Sequence, residues 1–335
     1  MGNEEQLISW LQRLQSRDLQ PGSALSLPGD DVAILGHGTG NLAITVDQQI
    51  AGVHVPADLD PAVWAHRLLA VNLSDLAAAG AEPTAALSTL AVPPDFDLRR
   101  FLRAAVERCR KFGIPLIGGD VARAPTAVTT MTLIGRRPSR GRWLARSAAQ
   151  PGDSLWLGGS VGTSAAGQRL VARGARLASN RVSLPAAIDL PTKLLPAARR
   201  AVRRHLLPAP QLELGRWLGG RRRAAVIDVS DGLAKDLHRL CAASGVGAEV
   251  EQAAIIIDND LPELAQAVGS NALELALAGG EDYVLLFALP QRSRPPAEFG
   301  SRRIGKITAS PAIRLIETGA SRQLPPGGWD HIENR

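Results

Sequence analysis

The chain has 335 residues with 45% hydrophobic and 21% charged content, which is typical of a globular protein, and its formal net charge is +6. This length exceeds what a single compact core usually holds, so we expect two domains. The sequence has no apolar run of about 18 residues and no signal-peptide core, which argues against a membrane span and favours a cytoplasmic location.

The first elements of the chain are predicted to be helices and short strands in mixed order. Residues 7–14 carry apolar side chains at helical spacing, which predicts an amphipathic N-terminal helix. A Pro-Gly turn at 28–29 precedes two adjacent aspartates and a short strand at 32–35, and a second strand at 42–47 ends in an acid. Asp60 is a favourable N-cap for the next helix, because proline occupies the first helical position.

The helix that begins after Asp60 is expected to carry polar groups near its end. Asn72 and Asp75 are three residues apart, so they share a face if the helix continues this far. The elements predicted next are a helix at 98–112, a strand at 114–117 that runs into a Gly-Gly-Asp sequence, and a strand at 128–134. Residues 137–146 are rich in arginine, proline and glycine, so we predict one domain over residues 1–147 and a second over 148–335.

The second half contains the sequence IDVSDGL at 227–233, where a buried strand at 224–227 leads into a helix. Ser230 is a good N-cap, and Asp231 would then lie in the first helical turn. The other predicted elements are strands at 154–157, 248–250, 283–289 and 303–307, a glycine-rich turn into a helix after 157, and a helix at 273–277. The alternation of helices with hairpin-like strands indicates a mixed α/β (α+β) fold.

Acidic residues occur repeatedly where an apolar, strand-like run meets a turn or a helix. These residues are Asp30, Asp31, Asp47, Asp75, Asp120, Asp228, Asp231, Glu281 and Asp282. One such carboxylate can simply belong to a turn or a cap, and that interpretation stays open for each position. A group of them would repel one another unless cations lay between them. Oxygen ligands without histidine or cysteine companions are typical of Mg²⁺, and Mg²⁺ held by few carboxylates points to nucleotide chemistry.

Other catalytic signatures do not occur in the sequence. It contains no G-x(4)-G-K-[ST] phosphate loop, no protein-kinase motif set and no serine, cysteine or histidine triad signature. His54 is a candidate site residue, because it follows the strand that ends in an acid. The two cysteines, Cys109 and Cys241, lie far apart on predicted helices, so we expect both thiols to be buried and reduced.

Taken together, the motifs resemble those of thiamine-monophosphate kinase, a family within the aminoimidazole ribonucleotide synthetase superfamily. The motifs that carry the resemblance are PGDDVAIL, TVDQQIAGVHV, LAVNLSDLAAAGAEP, GIPLIGGD, RSAAQPGD, RHLLPAP, IDVSDGLAKDL, GGEDYVLLF and WDHI. They occur in the family's order from residue 29 to residue 332, so the resemblance covers nearly the whole chain.

The resemblance implies a fold like that of aminoimidazole ribonucleotide synthetase. In this fold an N-terminal sheet-and-helix domain forms a homodimer, and a C-terminal α/β domain completes the active site. The implied activity is the ATP-dependent phosphorylation of thiamine monophosphate to thiamine diphosphate, with ATP as co-substrate and Mg²⁺ as cofactor. Neither a nucleic acid nor a membrane is expected as a partner.

The resemblance also implies roles for individual residues. The residues that match the family's Mg²⁺ ligands are Asp30, Thr45, Asp47, Asp75, Asp120, Asp228 and Asp231. The residues that match its ATP contacts are Gly119, Asp120, Arg146 and Ser230. The residues that match its contacts with thiamine monophosphate are His54, Glu281 and Trp329. Val46 stands where the family usually has threonine or serine, so a metal contact at this position must come from the backbone.

The implied reaction suits a site that has no general base. A phosphate monoester has a second pKa of about 6, so the acceptor is already anionic at neutral pH. The obstacle is repulsion from ATP, which amounts to roughly 4 kcal/mol for two unit charges about 4 Å apart at an effective dielectric constant near 20. Bound Mg²⁺ and an arginine would offset this repulsion. Trp329 offers a flat face to the cationic thiazolium ring, although it could instead anchor the C-terminus.

Three alternatives remain at the level of sequence. The chain could be another ATP-using member of the superfamily, such as a purine-pathway synthetase or a hydrogenase-maturation factor. Val46 also allows a non-catalytic nucleotide-binding relative. Arginine clusters at 199–204 and 221–223 could attract nucleic acid, but the aromatic content is only 4% and no nucleic-acid-binding motif occurs, so a solvated basic surface is the better interpretation.

Overall fold

The computed structural model describes residues 4–15, 30–37, 40–178, 180–255 and 257–329. The predicted turn at 28–29, the tip of the hairpin at 38–39 and the end of the C-terminal motif at 330–332 lie outside these residues. None of the described helices combines the length and the hydrophobicity that a bilayer crossing requires.

Helices and strands alternate along the chain, as expected for a mixed α/β fold. The helices are α1 (Glu4–Gln15), α2 (Pro61–Ala78), α3 (Leu98–Lys111), α4 (Thr163–Ala172), α5 (Leu195–Leu206), α6 (Leu212–Gly219), α7 (Leu233–Ser244), α8 (Leu261–Ala267) and α9 (Ala272–Ala278). The strands are β1 (Ala33–His37), β2 (Gly40–Ile50), β3 (Glu82–Val92), β4 (Leu116–Arg123), β5 (Val128–Arg136), β6 (Ser154–Leu157), β7 (Arg176–Ala178), β8 (Arg181–Ser183), β9 (Ala225–Asp228), β10 (Gly247–Glu251), β11 (Leu285–Leu289), β12 (Arg302–Thr308), β13 (Ile313–Glu317) and β14 (Ala320–Gln323). In the described part of the chain they form a five-stranded sheet of order β1-β2-β5-β3-β4, a seven-stranded sheet of order β14-β13-β10-β12-β6-β11-β9, and the hairpin β7-β8.

The five-stranded sheet is covered on one face only. Alternate residues of β3 and β5, such as Ala86, Leu90, Met131 and Leu133, are buried, and α2 packs against β2 and β5. Because side chains alternate between the faces of a strand, the residues between them point the other way. Val46 on β2 is 61% exposed on that other face. The sheet therefore keeps an open face that carries apolar side chains.

Helix α2 lies between the two sheets and is buried around most of its circumference. Asp60 caps it, since its carboxylate accepts the Ala62 N–H at 2.9 Å. The helix contacts β2 and β5 on one side and β9 and α6 on the other, which explains why it is apolar nearly all round. Arg67, Asn72 and Ser74 are buried within it. Because buried polar groups are almost always hydrogen-bonded, we expect each of these three side chains to have a partner in the segments that pack against α2.

The seven-stranded sheet has β6, β11 and β9 at its most buried end. Strand β11 pairs antiparallel with both β6 and β9, and Asp228 at the end of β9 lies opposite Leu285. Every residue of these strands is buried, and α7 packs against β9 and β11 through apolar residues such as Leu237 and Leu240. This packing brings Asp228, at the end of its strand, toward α2.

The structure corrects several predicted boundaries. The predicted strand at 283–289 begins only at Leu285, and Tyr283 precedes the strand with a φ of 51°. Asp120 lies inside β4 rather than after its end, and residues 82–92 form a strand that was not predicted. Strand pairing explains the last two differences. The parallel pairing of β3 with β4 stabilises extended backbone in segments whose alanines and glycines have low intrinsic strand preference.

Candidate functional site

Three aspartate side chains from separate segments meet between the two sheets. Asp31 precedes β1, Asp75 lies on α2 and Asp228 ends β9, and oxygen atoms of their carboxylates lie within 4.8 Å of one another. Burial, followed by the charges of Asp47, Asp228 and Asp31, raises the pKa of Asp75 well above its usual range. Burial and the charge of Asp31 likewise raise the pKa of Asp228. The cluster is therefore short of positive charge and would gain free energy by binding a cation.

Two hydroxyl groups hold the carboxylates of this cluster in place. Thr45 Oγ1 on β2 donates to Asp75 Oδ2 at 2.6 Å, and Ser74 Oγ on α2 donates to Asp228 Oδ2 at 2.6 Å. Each bond joins residues that are distant in the sequence, so each also ties one segment to another. These two hydrogen bonds therefore hold the carboxylates of Asp75 and Asp228 in position, because few other partners are available in the buried interior.

The end of β2 is fixed against α2 in a similar way. Asn72 Oδ1 accepts the backbone N–H of Asp47 at 3.1 Å. The turn that follows is closed by His54, whose Nδ1 accepts the N–H of Ile50 at 3.0 Å. Since Nδ1 accepts this bond, the proton of the neutral imidazole lies on Nε2. Asp47 and His54 are thereby presented together at the end of the strand.

Arg146 contacts both members of the aspartate pair that precedes β1. Its Nη2 lies 2.6 Å from Asp31 Oδ1, and its Nε lies 3.6 Å from Asp30 Oδ1. Burial, and then the charge of Asp31, raises the pKa of Asp30 to about 6. Asp31, which was not among the predicted ligands, is thus the residue that joins Asp75 and Asp228, and the predicted ligand Asp30 lies beside it.

The start of α7 differs from the prediction. Gly232 occupies the N-cap position with a φ of 122°, so Ser230 is not the N-cap and Asp231 precedes the helix. The carboxylate of Asp236 reaches back instead and accepts the N–H groups of Ser230, Asp231 and Gly232 at 3.1, 3.0 and 3.2 Å. Asp236 therefore supplies the acceptor that an N-cap side chain would provide, and it fixes the loop that carries Asp231.

Asp231 is surrounded by cationic side chains and by the C-terminal segment. Its Oδ2 lies 2.6 Å from Arg239 Nη1 and 3.3 Å from Lys235 Nζ. Its backbone carbonyl accepts the N–H of Trp329 at 3.0 Å, and Lys235 also donates to the Trp329 carbonyl. These bonds fasten the segment that carries Trp329 onto the start of α7.

A cavity of about 410 Å³ lies beside the aspartate cluster. The predicted site residues that line it are Asp47, His54, Asp75, Asp228, Ser230, Asp231, Glu281 and Trp329. The side chain of Glu281 is 22% exposed, and Trp329 is 38% exposed, so both are accessible from the cavity. A single opening therefore gives access both to the carboxylate cluster and to an aromatic surface.

Some predicted site residues lie elsewhere in the single chain. The register pairs Asp120 with Thr89, Thr89 with Thr130, and Thr130 with Gln48. Asp120 therefore lies three strands away from β2, or roughly 14 Å at the usual strand spacing. It also shares the open face of the sheet with Val46, opposite the face that carries Thr45 and Asp47. Asp120 and the glycine before it thus do not line the cavity of their own chain.

The carboxylate cluster fits a hard divalent cation such as Mg²⁺. Its donors are oxygen atoms only, from Asp31, Asp75 and Asp228, with Asp47 at the adjoining cavity wall. Mg²⁺ binds one or two carboxylates and completes its coordination with water and phosphate oxygens. The cavity next to the cluster provides the space for such phosphate groups.

Comparisons with known proteins identify the family of this chain. The family model described as AIR synthase related protein, N-terminal domain, matches residues 29–136. Thiamine-monophosphate kinase of Escherichia coli O157:H7 is 36% identical over 317 residues, which cover 91% of each chain. The chain belongs to the thiamine-monophosphate kinase family. This membership argues against the other superfamily members that the sequence left open.

Solved structures of thiamine-monophosphate kinases share the fold. AaThiL complexed with AMPPCP and TMP has a TM-score of 0.83 and 26% identity, and the match covers 98% of this chain and 97% of that chain. The enzyme from Stenotrophomonas maltophilia K279a has a TM-score of 0.71 and 31% identity, with 90% and 94% covered. The predicted fold class and the predicted family are thereby confirmed.

Several residues of this thiamine-monophosphate kinase family member were missed at the level of sequence. Asp31 and Ser74 stand next to predicted site residues, so their motifs contained a signal for both. Tyr283, which lines the cavity, was assigned to a strand. No feature of the sequence indicated that Arg67 belongs to the site, because a single arginine in a largely apolar helix is usually assigned to the surface.

Proposed function

We propose that this protein transfers the γ-phosphoryl group of ATP directly to the phosphate of thiamine monophosphate, forming thiamine diphosphate and ADP with the help of Mg²⁺. The observation that carries the proposal is the meeting of Asp31, Asp75 and Asp228 beside a cavity that Asp75, Asp228, Glu281 and Trp329 line. A cation-binding cluster and a surface suited to an aromatic cation are what a transfer between two phosphorylated molecules requires.

The proposed metal ligands are those of the cluster and its immediate neighbours. They are Asp30, Asp31, Thr45, the backbone of Val46, Asp47, Asp75, Asp228 and Asp231, together with Asp120 from the open face. Bound Mg²⁺ would neutralise the phosphate oxygens and hold donor and acceptor in line. The cluster is supported in this role by the pKa values of Asp75 and Asp228, which burial and the neighbouring carboxylates raise.

The protein groups proposed for ATP are the Arg146 guanidinium, Ser230 and the Gly119-Asp120 segment. Arg146 is anchored by Asp31 at 2.6 Å, so its guanidinium has a fixed orientation. A guanidinium is suited to phosphate oxygens because its donors form a planar fork. No side chain needs to remove a proton, since the acceptor phosphate is already anionic.

For thiamine monophosphate, we propose contacts with His54, Glu281 and Trp329. Trp329 offers its ring to the thiazolium, and Glu281 supplies a negative charge at the same cavity wall. His54 lies at the same cavity wall as Glu281 and Trp329, so we propose it as a third contact for the substrate. These contacts would fix the acceptor phosphate relative to the aspartate cluster.

We also propose that two chains form a homodimer through the five-stranded sheet. Val46 on β2 and Ile117 and Val121 on β4 are 61%, 59% and 50% exposed. Large exposed apolar groups on a sheet favour association. Asp120 shares the open face with Val46, so dimerisation through this face would bring it, with Gly119, into contact with the second chain.

The test is product formation from ATP, Mg²⁺ and thiamine monophosphate, followed by separation of thiamine diphosphate. Asp228→Asn should lower kcat at least about 100-fold, because it removes one charge of the metal-binding cluster. Asp95→Asn, at an exposed position away from the cavity, is the matched control and should retain wild-type activity. Absence of product with the folded wild-type protein, or full activity of Asp228→Asn, would contradict the proposal.

A further inference from the structure

Arg67 is a fully buried cation that joins three segments of the chain. It lies in the middle of α2, and its side chain has 0% exposure. One terminal nitrogen donates to the backbone carbonyl of His205 at the end of α5, and the other donates to Glu281 Oε1 in the loop before β11. A buried guanidinium is costly unless a carboxylate compensates it, and Glu281 fills this role.

Glu281 has an unusual backbone conformation. Its φ is 58°, and the neighbouring Gly280 and Tyr283 also have positive φ values of 68° and 51°. The Glu281 N–H donates to the Ser230 carbonyl at 2.6 Å, so this loop lies against the loop that carries Asp231. Left-handed backbone at a residue other than glycine persists only where its surroundings enforce it, and such residues concentrate at ligand sites.

The charges around Glu281 favour its ionised form. Burial by itself would raise the pKa of Glu281, but the charge of Arg67 and the hydrogen bond of His205 lower it to about 2. Burial lowers the pKa of His205, so at neutral pH this imidazole is uncharged. Its Nδ1 lies 3.0 Å from Glu281 Oε2. Arg67 is therefore the permanent positive charge that keeps Glu281 ionised.

We propose that Arg67 is a positioning residue for thiamine monophosphate, because it holds the Glu281 carboxylate at the cavity wall where the cationic ring of the substrate binds. The inference rests on the proposed function and adds a residue that acts through Glu281 without touching the substrate. Arg67 belongs to the same helix as Asp75, so one rigid element would orient both the metal-binding cluster and the substrate-binding carboxylate.

The test compares Arg67→Met, Arg67→Lys and Glu281→Gln with the double variant Arg67→Met/Glu281→Gln in steady-state assays. Arg67→Met should raise KM for thiamine monophosphate at least about tenfold, since it removes a charged hydrogen bond to Glu281, and leave KM for ATP within about twofold. Without Arg67, burial raises the pKa of Glu281. KM for thiamine monophosphate should therefore fall more steeply as pH rises in this variant than in the wild type, since the phosphate of the substrate titrates equally in both assays.

The double variant separates positioning from mere structural support. It removes both buried charges, so it should fold even if Arg67→Met does not, and its KM for thiamine monophosphate should equal that of Glu281→Gln alone. Arg67→Lys keeps the positive charge but lacks the guanidinium that bonds His205 and Glu281 at the same time. It should therefore show an intermediate KM for thiamine monophosphate. Arg100→Gln, which breaks an arginine–aspartate pair near the surface, is the control and should keep wild-type constants.

Three results would overturn the inference. They are a KM for thiamine monophosphate within about twofold of wild type in folded Arg67 variants, a double variant whose KM exceeds that of Glu281→Gln, and a parallel rise in both KM values that does not change with pH. Failure of the proposed function is distinguishable, because the wild-type protein would then form no thiamine diphosphate.

Discussion

Replacement of Asp75 by asparagine should stabilise the metal-free protein while it destroys catalysis. Asp75 lies within 4.8 Å of Asp31 and Asp228, measured between carboxylate oxygens. At this separation, two unit charges repel by roughly 3 kcal/mol at an effective dielectric constant near 20. Asparagine has nearly the same shape and can still accept the hydroxyl hydrogen bond of Thr45, so the main change is the loss of one negative charge. We expect a gain of order 3 kcal/mol at pH 8 in EDTA.

The gain should depend on pH with a definite sign. The folded-state pKa of Asp75 is raised above the unfolded value of 3.8, so the wild-type protein loses stability as pH rises through the raised pKa. Near pH 5, which is closer to the unfolded value of 3.8, the Tm advantage of the variant should be smaller than at higher pH. At pH 8 its Tm should be several degrees higher.

The assay is thermal unfolding followed by circular dichroism between pH 5 and pH 8, in EDTA and in excess Mg²⁺. Because a ligand that binds the folded state stabilises it, Mg²⁺ should raise the Tm of the wild type more than that of Asp75→Asn. The difference in Tm between the proteins should therefore shrink or reverse when Mg²⁺ is added. A Tm difference that is equal at both pH values, or a wild type that does not respond to Mg²⁺, would refute the reasoning about the cluster.

Two further variants test the loop of α7 and the open sheet face. Asp236→Ala leaves the N–H groups of residues 230–232 without their acceptor, so we expect a loss of about 2 kcal/mol or more in unfolding free energy and a lower kcat, measured by thermal unfolding and product formation. If the proposed homodimer forms through the open face, Val46→Glu places a charge in its interface and should shift the protein toward the monomer in sedimentation velocity. An unchanged dimer would show that this face is not the interface, and an unchanged Tm for Asp236→Ala would show that the loop does not depend on this carboxylate.

Elements with strong local signals were predictable. The capped helix after Asp60, the helix ended by Gly113 and the strand at 154–157 were each placed near their observed bounds, because capping, termination and burial act within a few residues. Local reasoning failed at the start of α7, where Ser230 looked like an N-cap. The acceptor there comes from Asp236, whose side chain reaches back over the loop.

The sequence by itself determined the family, the kind of chemistry and most of the acidic residues, because motif order and residue type are properties of the chain. Only the tertiary structure decided which acids meet. Asp31 rather than Asp30 joins Asp75 and Asp228, and Asp120 lies on the opposite face of the sheet. For Asp120 the physical reason is that a strand turns successive side chains to opposite faces, so one residue of register decides which side chain reaches a site. That register is set by pairing between segments far apart in the chain.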